Sequence, residues 1–153
     1  MGRAEALAAR EKFKARAEPQ LEVILVTGAP CSGKTTYVQR HMQPGDLVVD
    51  YDALAVALGA GDTHDHPKAL YPFVLAARDT VLRQIAAEEC KLRRAWVIRC
   101  DPTQADYDLA SRVVALDTPA DECKARARAD GRPAKWPALI DAWHARRRIS
   151  PGA

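Results

Sequence analysis

Gly28 and Gly33 bracket four residues and are followed directly by Lys34 and Thr35, in the stretch GAPCSGKTT. Gly-x4-Gly-Lys-Ser/Thr is the spacing that wraps a backbone around phosphate. The loop of Gly28, Ala29, Pro30, Cys31, Ser32 and Gly33 can turn tightly and offer its N–H groups to phosphate oxygens. Thr35 and Thr36 then open a helix whose positive end adds to the attraction. Lys34 is expected to reach the β- and γ-phosphates and the Thr35 hydroxyl to ligate Mg²⁺. The expected ligand is therefore ATP or another nucleoside triphosphate. These residues do not choose between ATP and GTP.

Such a loop needs a strand before it and a helix behind it. Val23 to Val26 is an unbroken apolar run suited to a strand buried on both faces, and Thr35 to Met42 holds no Gly or Pro. Leu47 to Val49 reads as a short second strand ending in Asp50-Tyr51-Asp52, with a helix over Ala53 to Leu58 that Gly59 stops. Residues 68 to 90 read as the longest helix, with Leu70, Phe73, Val74, Ala77, Val81 and Ile85 as its core stripe. Ala95 to Cys100 is a third strand ending at Asp101, and Val113 to Leu116 a fourth ending at Asp117. Thr103 to Ala110 forms a short helix between them. Helices over Asp121 to Ala129 and Trp136 to Arg148 follow, the second with Leu139, Ile140 and Trp143 inward. Strands alternating with helices call for an α/β fold of the three-layer P-loop type. It consists of a small parallel sheet flanked by helices and closed by an Arg-rich lid. Ligands of such sheets sit at the carboxyl ends of the strands, where the loop, Asp50, Asp52, Asp101 and Asp117 all fall.

At 153 residues one core is expected, with an N-terminal surface helix inside residues 1–20 and the P-loop domain in 21–153. No run approaches the roughly 18 apolar residues of a membrane span, and no apolar leader opens the chain, so a cytoplasmic protein away from membranes is expected. Cys31, Cys90, Cys100 and Cys123 show no C-x-x-C pair and read as free thiols in a reducing compartment. The net charge of +3 is small, yet Lys124 to Arg148 holds eight Lys and Arg against Asp130 and Asp141. Oligomeric state is left open.

Three further groups invite chemistry. Asp62-Thr63-His64-Asp65-His66-Pro67 has the residue types of a metal site, but no third element supplies more ligands at a recognisable spacing. It reads as a mobile loop near the substrate entrance. Arg126, Arg128 and Arg132 follow the fourth strand, and at least one of them is expected on phosphate, because phosphoryl transfer without an arginine clamp is unusual. Arg78 and Arg83 read as solvated, although a helix returning over the sheet could aim one of them at the acceptor. Arg146 to Arg148 could be a nucleic-acid contact or a solubilising end.

Together, GAPCSGKTTY, VVDYDAL, VIRCDPT and LDTPADECKARARADGRP resemble the kinase domain of phage polynucleotide 5′-kinases, and more distantly zeta-toxin-type kinases, over about Val23 to Arg147. The resemblance implies Asp52 as the general base, with Asp50 the alternate, and a lid arginine at Arg126, Arg128 or Arg132. It implies ATP-dependent, Mg²⁺-assisted transfer to a hydroxyl on nucleic acid, with Asp101 helping Thr35 hold the metal. The chain departs from that family in lacking a phosphatase domain and a basic residue beside Asp52. A small-molecule kinase and a non-kinase P-loop NTPase are the competing readings.

Overall fold

The computed structural model describes residues 20–62, 64–87 and 91–149. The helix expected between Ala4 and Ala17, and Cys90, lie outside the described residues. Among the described residues, four strands form one parallel sheet, β1 (Glu22–Gly28), β2 (Leu47–Val49), β3 (Arg94–Arg99) and β4 (Arg112–Leu116), in the order β2-β3-β1-β4. Helices α1 (Lys34–His41), α2 (Tyr51–Ala57), α3 (Tyr71–Ala86), α4 (Gln104–Leu109), α5 (Ala120–Ala129) and α6 (Trp136–Ile149) alternate with them, and a 3₁₀ turn at Lys68–Leu70 leads into α3.

β1 is central because its residues are apolar in both directions of the pleat. Val23 and Leu25 pack with Val49, Ala95, Val97 and, from α3, Ile85. Ile24 and Val26 face the other way onto Trp96, Ile98 and Val38 of α1. Ile24 and Leu25 are fully buried, and each contributes about 1.5–3 kcal/mol through the water it sheds. The sheet register then puts the ends of β1, β3 and β4 level with one another, Thr27 pairing with Arg99 and with Ala115. A third apolar cluster, Ala29, Cys123, Ala127, Ile140 and Trp143, fixes α5 and α6 against the phosphate loop.

Three expectations are corrected. Asp50 ends β2 as the N-cap of α2, its carboxylate accepting from the Asp52 amide at 3.2 Å, so Asp52 lies in the first turn of a helix and not on the strand end. The helix expected from 68 to 90 starts as a 3₁₀ turn and runs as α3 only from Tyr71 to Ala86, with Pro72 in its first turn. Phe73 is 67% exposed and Leu139 47%, although helical spacing puts both on core faces. At the start of α3 it is Val74 that is buried, in a cluster with Ala55 and Ala60 against which Leu70, Tyr51 and Leu54 pack.

Candidate active site

The loop between β1 and α1 carries its own strain. Cys31 has φ 63 and Gly33 φ 96, while Gly28 has φ 155 and so little room that a Cβ there would meet Ser32 Oγ at 2.6 Å and Leu116 O at 2.9 Å. A left-handed non-glycine residue costs on the order of 1–3 kcal/mol and persists only where the surroundings enforce it. Here Thr118, just past β4, donates its hydroxyl to Ser32 O at 2.9 Å. Lys34 is 8% exposed, and its ammonium donates to Gly28 O at 2.9 Å, Ala29 O at 2.6 Å and Ser32 Oγ at 3.4 Å. The loop therefore curls around its own cation, the arrangement that anionic oxygens can enter by taking over Lys34's bonds.

A cleft of about 970 Å³ opens from this loop. It is lined by Pro30 to Thr36, by Asp50 and Asp52, by Asp101, and by Arg126 and Arg132. Gly28 and Ala29 contribute their carbonyls to Lys34 from beneath. Of the residues expected at phosphate, Arg128 is the one the structure separates: it is exposed on α5 and does not line the cleft, because it projects from a different side of the helix than Arg126. Arg126 approaches the loop itself, 3.5 Å from Cys31 O, and is held by Glu122 one turn earlier. Arg132 lies 3.7 Å from Asp130 and 4.6 Å above the Trp136 ring, its Nε buried without a hydrogen-bond partner. A donor so placed is available to a phosphate oxygen.

The two carboxylates at the end of β2 share one electrostatic environment. Burial, the neighbouring Asp52 charge and little compensation raise the Asp50 pKa, although the Asp52 amide, Lys34 and His66 oppose the rise. Burial likewise raises Asp52, against the pull of His66, Arg132, His64 and Lys34. Asp101 lines the cleft but is paired with Arg146 at 3.4 Å, so among hard oxygen ligands for Mg²⁺ the exposed Thr35 hydroxyl is the less encumbered.

The cleft also recruits residues that local pattern did not single out. Arg78 lines it from α3, Arg99 from the end of β3, and Tyr37, Arg40 and His41 from α1. Arg99 is fixed by Asp106 at 2.7 Å, itself bound by the Thr103 amide and hydroxyl at the N-cap of α4. Of the terminal arginines, Arg146 lines the cleft and Arg147 stacks on Trp143 at 4.3 Å, so neither is a free solubilising end. Arg146 also meets Asp101 and Arg147 donates to Cys100 O, partners more than forty residues away in sequence that no local signal could have found.

Among solved structures, a chain of the Pnkp1/Rnl/Hen1 RNA repair complex superposes with a TM-score of 0.66 at 13% identity. The match covers 89% of this chain and 47% of that one, so the chain spans about half the length of its structural relative. No curated protein matches the sequence. No helix among the described residues is long and apolar enough to cross a membrane. Residues 23–147, from the first core residue of β1 to the last turn of α6, match the family described as AAA domain, and the chain belongs to that family with a P-loop fold of kinase-like build.

Proposed function

We propose that the protein transfers the γ-phosphoryl group of ATP to a hydroxyl of a nucleic acid, a 5′-OH or a hydroxymethylated base. The observation that carries this reading is the single cleft holding Lys34 with the phosphate loop, the Asp50/Asp52 pair, and Arg126 and Arg132. A hydrolytic switch needs no acceptor-side carboxylates; a kinase does. Nucleic acid as the acceptor is supported by an exposed aromatic near the Asp52 turn. Tyr71 is open to solvent and its ring lies 5.9 Å from that of Tyr51, the residue before Asp52, a surface on which an unpaired base can stack. The fold shared with a chain of an RNA repair complex agrees with it.

In the proposed reaction Asp52 takes the acceptor's hydroxyl proton as the new O–P bond forms and the β–γ bridging bond breaks, releasing ADP. Lys34 and the loop amides hold the donor, and Arg126 and Arg132 stabilise charge on the transferring group. Thr35, with Asp101, would hold Mg²⁺, which would supply charge neutralisation to the donor's phosphate groups. Asp52 is preferred over Asp50 because Asp50 already caps α2.

The test is γ-labelled ATP with 5′-OH DNA, 5′-OH RNA, hydroxymethyluracil DNA and free nucleosides. Label is expected on a polynucleotide; label on nucleosides alone makes this a small-molecule kinase, and free phosphate released at one rate regardless of acceptor makes it an NTPase. Asp52→Asn should slow transfer by about 10²- to 10⁴-fold with ATP affinity little changed, and Asp50→Asn should do less. A reversed order would move the base to Asp50.

A further inference from the structure

The segment from Asp62 to Pro67 is tied to both walls of the cleft. On the acceptor side, His66 Nε2 stands 3.6 Å from Asp52 Oδ1, and its ring lies 5.7 Å from that of Tyr51. Toward the lid, Asp65 meets Lys135 at 3.4 Å and the His64 ring meets Trp136 at 6.3 Å. The His66 side chain is 16% exposed, whereas Asp52 is 47% exposed, so the imidazole is the more fixed of the two.

We propose that His66 is a positioning residue for Asp52: as an imidazolium it orients the carboxylate toward the acceptor and keeps it ionised, so that this segment sets the lower pH limit of phosphoryl transfer. The inference rests on Asp52 being the base. Among the described residues, several titratable groups face Asp52, the adjacent Tyr51 among them. His66 and His64 approach from the segment itself, Arg132 from beyond α5 and Lys34 from the loop, while Asp50 stands beside it with opposite effect. Of the cations, His66 interacts most strongly, and it is one whose charge depends on pH. An imidazolium 3.6 Å from the carboxylate oxygen favours its ionised form. Removing the cation therefore raises the pH at which Asp52 ionises. For a partly exposed pair the rise should be about one pH unit, the low end of the range for a carboxylate beside a cation.

The experiment is the pH profile of kcat for wild type, His66→Gln and His66→Arg, together with carbon-13 NMR titration of the Asp52 carboxyl in each. In His66→Gln the acid limb and the Asp52 titration should both move up by about one unit, lowering turnover about tenfold below the limb. Turnover on the alkaline plateau and the KM for ATP should stay within about threefold, since the base is ionised there without help. His66→Arg, which restores the cation without the ring, should bring both back toward wild type. A loop that merely packs would leave the limb in place in His66→Gln and gain nothing from arginine, and that result overturns the proposal. Should Asp52→Asn retain wild-type transfer, the base assignment falls. The Asp52 titration still reads the pair by itself, so the two failures are told apart.

Discussion

Lys34→Met separates what the buried ammonium does for the fold from what it does for phosphate. Methionine keeps an unbranched stem in the same 8%-exposed slot and removes only the charge. Two short bonds are lost, to Gly28 O and Ala29 O, with a longer one to Ser32 Oγ. Hydrogen bonds from a charged group are worth about 1.5–3 kcal/mol each, but relief from desolvating the ammonium offsets part of that. A net loss of about 1–3 kcal/mol remains, or a Tm lower by about 3–9 °C for a chain of this length. Nucleotide then reports on the site. At a concentration about 100 times the wild-type Kd, Mg·ATP stabilises wild type by about 2.7 kcal/mol, and a site weakened tenfold retains about 1.4. Turnover should fall by at least about 10²- to 10³-fold, the cost of losing one donor aimed at developing charge. Thermal unfolding with and without Mg·ATP, beside an initial-rate assay, measures all three. Turnover within tenfold of wild type would refute the placement of Lys34 on the donor, and an unchanged Tm would show its loop contacts to be energetically idle.

Arg126→Ala and Arg132→Ala should depress kcat with any acceptor, whereas alanine at Arg146, Arg147 and Arg148 together should raise the KM for oligonucleotide and flatten its dependence on salt, whose slope is about −0.7 per phosphate neutralised on a single strand. Identical salt slopes for the triple variant and wild type would remove α6 from the acceptor path. Asp106→Asn should destabilise the fold by about 3 kcal/mol, because it strands Arg99 in the protein and opens the α4 cap; urea midpoints check it. Burial raises the Asp106 pKa, but the Thr103 and Arg99 contacts overcome it and the net shift is downward from 3.8. Its contribution is therefore complete above about pH 4 and fades as acid protonates it in the folded state, so the gap between wild type and Asp106→Asn should close in acid.

The phosphate loop was legible because its chemistry is local: the glycines, Lys34 and Thr35 are contiguous, and the strand in front is apolar throughout. β2 was legible to the residue, since a turn and a helix cap bound it. The fold followed from alternation alone. Helical periodicity, by contrast, gives a direction and not a partner, which is why Phe73 and Leu139 were assigned inward and lie open. Arg128 shows the same limit, since an arginine cluster says nothing about which member faces the loop. His66 beside Asp52 and Arg146 beside Asp101 arise only when the fold brings separate segments together.

The left-handed Cys31 puts a thiol on the rim of the phosphate cradle, half-buried and lining the cleft. Burial raises the pKa of that thiol, with Arg132 pulling the other way, so alkylation should be slow near neutrality and quicken in alkali. An adduct would occupy the space that a triphosphate claims. Cys31 thus gives the protein a built-in occupancy gauge: the rate at which a small electrophile labels it, with and without nucleotide, reads out the bound fraction without any turnover, and the same sulfur is an anchor for covalent inhibitors aimed at the loop.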